Sequence, residues 1–172
     1  RYRLIPYLYS EYMKAVLRDE MMFRPLAFDY PSDAYAAQVE DQLLLGEELM
    51  LAPVYEQNKE GRYVYLPEEM KMVRFSEDGT VEEKILPAGH HYVEVPLTDV
   101  VFFLRPNRLI PFADVAQNVD EIDFEHPGVL AFVREEACYE YYRDNGYEKD
   151  YENPAHFHRI CLKKGESSPT VF

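Results

Sequence analysis

The sequence of this 172-residue chain predicts a mainly β fold: antiparallel β-sandwich units behind a short helix–strand–helix piece. Three observations predict it. Period-two alternation recurs in short segments from Arg62 to Lys163, separated by Gly, Pro, Asn and Asp. One 3.6-residue apolar stripe occupies the first eighteen residues. Between the two lies Phe23 to Val54, which reads as strand, helix and strand in quick succession, a step usual in a larger parallel sheet or barrel.

In chain order, Leu4, Ile5, Leu8, Tyr9, Tyr12, Met13, Val16 and Leu17 recur at three- and four-residue spacing and predict a helix from Arg1 to about Arg18. Pro6 falls in its first turn, where a missing N–H does little harm. Arg3, Glu11, Lys14 and Arg18 are assigned to the opposite, solvated side. Phe23 to Phe28 reads as a short strand with Pro25 inside it. Ser32-Asp33 reads as a helix N-cap, and Ala34, Ala37, Val39, Leu43 and Leu44 carry a second helix that Gly46 ends. Leu49 to Val54 is an apolar strand run. Strands are then expected at Arg62–Leu66, Met70–Phe75, Val81–Leu86, His90–Val95, Val100–Leu104, Val129–Arg134, Ala137–Tyr142 and Phe157–Lys163. Asp78-Gly79 and Asp144-Asn145-Gly146 read as tight turns.

Composition narrows the function classes. Net charge is −14, with 32 acidic and 18 basic residues, which repels phosphate backbones and anionic membrane surfaces. No basic stripe interleaved with aromatics is present, so neither nucleic acid nor membrane is an expected partner. No apolar run approaches the ~20 residues that span a bilayer. Two cysteines, Cys138 and Cys161, read as buried thiols of a cytosolic protein, and a cytoplasmic location is expected. Tyr (15) and Phe (10) are abundant and Trp is absent; packing between strands is the first reading of so many rings.

The ordered segments Arg1-Tyr2-Arg3-Leu4-Ile5-Pro6-Tyr7-Leu8-Tyr9, Phe23-Arg24-Pro25-Leu26, Asp41-Gln42-Leu43-Leu44-Leu45-Gly46, Leu49-Met50-Leu51-Ala52-Pro53-Val54 and Arg62-Tyr63-Val64-Tyr65-Leu66-Pro67 resemble the C-terminal third of glycoside hydrolase family 31. Phe103-Leu104-Arg105-Pro106-Asn107-Arg108-Leu109-Ile110-Pro111 is similar to the family's Phe-x-Arg-x-Gly-x-Ile-Pro segment, with Asn107 where Gly is usual. Tyr141-Tyr142-Arg143-Asp144-Asn145-Gly146 resembles its Tyr-x-Asp-Asp-Gly turn. The resemblance implies that residues 1–47 end a truncated (β/α)8 catalytic barrel, 48–121 form a proximal C-terminal β-domain and 122–172 a partial distal one.

It also implies a retaining α-glucosidase as the parent protein, hydrolysing terminal α-linked glucose from oligosaccharides with two carboxyls ~5 Å apart. An α-xylosidase or another family activity is the alternative, as is a stand-alone carbohydrate-binding or interaction β-sandwich. Both catalytic aspartates belong to earlier barrel strands, upstream of Arg1, so the chain alone is expected to be inactive. Its partners would be the oligosaccharide substrate, reached through the complete enzyme, and the missing N-terminal part of the same protein; alone, its apolar helix stripe favours self-association. The resemblance implies no cofactor. Barrel sites lie at the C-terminal ends of strands, which singles out Phe28, Asp29 and Tyr30 as a substrate rim. No metal site is expected: His156 and His158 share a strand face but lack a third ligand, while His90 and His91 point to opposite faces.

Overall fold

The structure, a computed structural model, describes residues 2–114, 116–147, 149–166 and 170–171. It is mainly β, with antiparallel pairing throughout and one long helix near the N-terminus. The chain forms two compact units, Phe23–Pro106 and Arg1–Met22 with Asn107–Phe172. These cuts differ from the boundaries at 47/48 and 121/122 read from the sequence.

The Phe23–Pro106 unit is built from β1 (Phe23–Pro25), β2 (Leu43–Leu45), β3 (Leu49–Leu51), β4 (Gly61–Leu66), β5 (Met70–Phe75), β6 (Val81–Leu86), β7 (Gly89–Glu94) and β8 (Val100–Leu104). Six strands form one sheet in the order β1-β2-β3-β8-β5-β6, and β4 pairs with β7 as a separate ribbon. Register explains the core. Leu44 faces Met50, Met50 faces Phe103, and Phe103 faces Met72, so one row of apolar side chains crosses four strands on one face. All four are buried with Val64, Leu66 and Val93 of the ribbon. Burying each large side chain contributes roughly 1.5–3 kcal/mol. The β5–β6 hairpin turns at Asp78-Gly79 as expected, with Gly79 at φ +85° and Thr80 N–H donating to Asp78 Oδ1 at 2.9 Å.

The second helix expected over 32–45 is not formed. A single helical turn, α2 (Leu26–Asp29), and a 3₁₀ turn at Ala36–Gln38 take its place. Asp33 does cap: its Oδ1 accepts from the Tyr35 and Ala36 N–H groups at 2.9 and 3.1 Å. The helix goes no further because Leu43–Leu45 gains strand partners on both sides, β1 and β3. A three-residue apolar run cannot be assigned to helix or strand by periodicity alone. Gly46, at φ +61°, turns the β2–β3 hairpin instead of ending a helix. Phe23 pairs antiparallel with Leu45, so the segment is a meander and not a parallel βαβ step.

The other unit contains α1 (Ile5–Arg18), β9 (Arg108–Phe112), β10 (Gly128–Phe132), β11 (Glu136–Tyr142), β12 (Phe157–Lys163) and β13 (Thr170–Val171). β9 pairs with β10, and β11-β12-β13 form a second sheet. β9 escaped the sequence reading because it contains Pro111, tolerated here in a two-stranded pair. Asn107 adopts φ +56°, the left-handed geometry a glycine would supply, and its Oδ1 accepts from the N–H groups of Arg134 and Glu135 at 2.9 Å each.

Helix α1 meets β11 through side chains the periodicity placed in solvent. Glu11 and Lys14 are only 5% and 7% exposed, whereas Tyr12 and Val16 of the apolar stripe are about half exposed. Lys14 Nζ donates to Glu11 Oε1 at 2.7 Å and lies 3.8 Å from the Tyr139 ring centroid; Tyr139 donates its hydroxyl to the same Glu11 oxygen at 2.7 Å. Ser10 Oγ donates to Pro6 O at 2.7 Å and accepts from Tyr142 N–H at 3.0 Å, fastening the helix to the sheet. The polar face is buried because it carries its own partners; the apolar pattern alone could not show that.

Cys138 and Cys161, expected as thiols, form a disulfide. They stand directly opposite on β11 and β12, with Cα atoms 4.1 Å apart, a juxtaposition that depends on strand register and not on sequence spacing.

Candidate functional site

The expected rim residues do not sit at a strand end. β1 stops at Pro25, which cannot extend the ladder, and residues 26–29 close the turn α2 with Tyr30 N–H donating to Leu26 O at 3.0 Å. The three residues diverge. Phe28 is exposed, while Asp29 and Tyr30 enter a half-buried ionic cluster.

Arg105, just after β8, organises that cluster. Its Nη1 donates to Asp29 Oδ2 at 2.7 Å and to Glu47 O at 3.0 Å; its Nε donates to Glu68 Oε1 at 2.9 Å. Arg24 of β1 donates to the same Asp29 oxygen and to Gly46 O, both at 3.1 Å. Tyr30 donates its hydroxyl to Glu68 and lies under the Arg105 guanidinium, 5.0 Å from ring centroid to Cζ. Burial, together with the bond to Glu68, pushes the Tyr30 phenol far above its ordinary value. Burial opposes the charge of Arg105, but Tyr30, Glu68 and Asp29 outweigh it and raise its pKa. The cluster ties three other segments of the sheet unit, at Asp29–Tyr30, Glu47 and Glu68, to one guanidinium, an arrangement suited to holding Asp29 and Tyr30 in place.

A second feature of this unit is an open groove of about 830 Å³ beside the β4–β7 ribbon. Alternation puts Val64 and Leu66 into the core and Tyr63 and Tyr65 on the outer face. Register sets Tyr63 opposite Tyr92 and Tyr65 opposite His90, so four rings share that face. Their centroids are 5.2 and 5.0 Å apart. Tyr35 stands 4.5 Å from both Tyr65 and His90. Tyr65 donates to Asp33 Oδ2 at 2.6 Å; that bond lifts the Tyr65 pKa to about 12 and holds Asp33 below the usual carboxylate range.

Two of the histidines bond backbone carbonyl groups. His91 Nε2 bonds Pro87 O at 2.7 Å, and His156 Nε2 bonds Asp150 O at 2.9 Å. Burial, with Arg143 and His156 nearby, lowers the pKa of His158. Among the described residues, the Glu136–Cys138–Cys161 group is close enough to surround an ion, but its sulfurs are bonded to each other and offer no thiolate.

Residues 19–110 match the glycosyl hydrolase family 31 C-terminal domain. The chain belongs to that family. Among family relatives, it is 26% identical to the 1,6-alpha-glucosyltransferase of Sporosarcina globispora over 99% of this chain and 13% of that protein. It is 26% identical to alpha-glucosidase 2 of Bacillus thermoamyloliquefaciens over 98% of this chain and 21% of the relative. A family 31 dextranase of Flavobacterium johnsoniae, solved in complex with glucose, superposes with a TM-score of 0.74 at 30% identity, over 94% of this chain and 20% of its own. The chain therefore spans about a fifth or less of the length of these relatives.

Within the family 31 portion, the sequence reading found Asp29 and Tyr30 but missed Arg24, Glu68 and Arg105 as their partners. Arg105 stands in the Phe-x-Arg segment quoted above, and an arginine next to an otherwise apolar strand was the available signal. The tyrosines were read as packing pairs. Tyr63 and Tyr92 do pair across strands, but on the exposed face.

Proposed function

We propose that the chain is the C-terminal, non-catalytic portion of a retaining α-glucosidase that releases terminal α-linked glucose from oligosaccharides. The match over residues 19–110 carries the reading. The likeness to alpha-glucosidase 2 supports the substrate class. Asp29, the one carboxylate at the expected rim, accepts from two arginines, which suits a positioning role; the exposed Phe28 beside it is the rim residue free to face a sugar. In this reading the chain adjoins the parent's barrel, and the β-units, whose larger sheet takes in β1 and β2, brace it. The half-exposed Tyr12 and Val16 of α1 meet the upstream part of the same protein.

One experiment with two readouts tests this. The isolated chain is expected to release no nitrophenol from p-nitrophenyl α-glucoside and to associate in sedimentation velocity. The full-length parent is expected to turn the substrate over. Turnover by the chain alone, or undiminished turnover by a parent lacking it, refutes the proposal.

The disulfide bears on location. Cysteine pairs persist in oxidising compartments, so Cys138–Cys161 favours an oxidising environment for this portion. Iodoacetamide is expected to add mass to the denatured chain only after reduction. With the cysteines 23 positions apart in sequence, reduction should lower stability by about 3 kcal/mol on the chain-entropy model. Alkylation of the unreduced, denatured chain would contradict this.

A further inference from the structure

We infer that the groove beside the β4–β7 ribbon is a binding site for a neutral oligosaccharide. At about 830 Å³ the groove falls in the size range of small-molecule clefts. Its walls are aromatic and polar. Tyr55 and Tyr63 are 67% and 72% exposed, an arrangement that leaves two large rings in water unless something stacks on them. A pyranose offers that complement: an apolar C–H face for the rings and hydroxyls at the edge for the carboxylate and amide groups of Glu40 and Gln38, which line the same groove.

Charge selects against anions. The guanidinium in the groove, Arg62, is engaged by Asp41 as an ion pair, and it donates to Asp41 O at 3.0 Å, Pro53 O at 2.9 Å and Tyr63 O at 3.1 Å. Among the described residues that line the groove no surplus positive charge is present, and the chain carries a net −14. The same contacts make the site rigid. Arg62 ties the 41 and 53 segments to β4 and lies 5.5 Å from the Tyr55 ring, while the Tyr92 ring props Tyr63. Rings held in this way lose little freedom on binding, which favours a weakly interacting ligand such as a sugar.

The site needs no turnover, so its failure leaves the proposed role of the parent untouched, and the reverse also holds. The test is titration of the chain with maltotriose, isomaltotriose and, separately, inorganic phosphate. Tyrosine fluorescence, unobscured by tryptophan, and two-dimensional NMR report binding. Saturable perturbation by a trisaccharide but not by phosphate is expected, centred on residues 35–65. Tyr55→Ala and Tyr63→Ala, both at exposed positions, should each weaken binding about three- to tenfold while the circular dichroism spectrum is kept. Tyr147→Ala, an exposed tyrosine of the other unit, should leave it unchanged. Absence of a saturable response to both sugars by the folded chain overturns the inference. So does a response that survives in the Tyr55→Ala/Tyr63→Ala double variant, one lost in Tyr147→Ala, or preferential binding of phosphate.

Discussion

Replacing Arg105 with alanine is expected to destabilise the Phe23–Pro106 unit by about 3 kcal/mol, within the roughly 3–5 kcal/mol typical when one partner of a buried ion pair is removed. The figure lies at the lower end because Glu68 is partly exposed and Arg24 still holds Asp29. The cost comes from what stays behind. Asp29 and Glu68 lose a shared cationic partner in a half-buried setting, Glu47 O loses a donor, and the Tyr30 ring loses the cation stacked on it. Arg105→Lys should recover only part of the loss, because one ammonium cannot reproduce a fork that meets Asp29 and Glu68 through different nitrogens. Urea unfolding with an unchanged m-value reads the effect as a shift in midpoint. A loss below about 1 kcal/mol would place the cluster with ordinary surface ion pairs.

Glu11→Ala is expected to cost a similar ~3–5 kcal/mol in the other unit, because it strands the Lys14 ammonium in a buried site and removes the acceptor of the Tyr139 hydroxyl. The decisive comparison is the pair Glu11→Leu/Lys14→Met. Removing both charges together leaves apolar groups of similar volume, so the double variant should be more stable than Glu11→Ala and close to the parent chain. The difference between the double variant and the sum of the Glu11→Leu and Lys14→Met single variants gives the coupling between Glu11 and Lys14. If Glu11→Ala unfolds within about 1 kcal/mol of the parent chain, Glu11 is solvated, as helical periodicity first placed it.

Both effects rest on contacts that no local pattern announces. Asp29 and Arg105 lie 76 positions apart, and Glu11 and Tyr139 are separated by 128. Of the candidate site, the sequence located Asp29 and Tyr30 through the family resemblance but set them at the end of a strand. The groove was legible only in part: alternation placed Tyr63 and Tyr65 on one face of β4, but not which face met water. That choice followed from Val64 and Leu66 packing with Val93, Met50 and Phe103.

The sequence was sufficient wherever local chemistry dominates. Local patterns, period-two in β5 and β6 and a continuous apolar run in β8, marked these strands and β12 at their observed limits, Asp78-Gly79 marked a turn that needs a positive φ, and the ordered motifs marked the family. It was insufficient wherever a segment had two comparable local solutions. Leu43–Leu45 could be helix or strand until β1 and β3 offered hydrogen bonds on both sides. Cys138 and Cys161 could be thiols until β11 and β12 paired in the register that sets them opposite each other. Glu11 and Lys14 could be solvated until Tyr139 supplied a partner inside. For Leu43–Leu45 the competing local propensities differ by about 1 kcal/mol or less, and long-range pairing worth more than that selects the strand; for the cysteines and for Glu11 and Lys14 the partner that decides the outcome lies far away in the sequence.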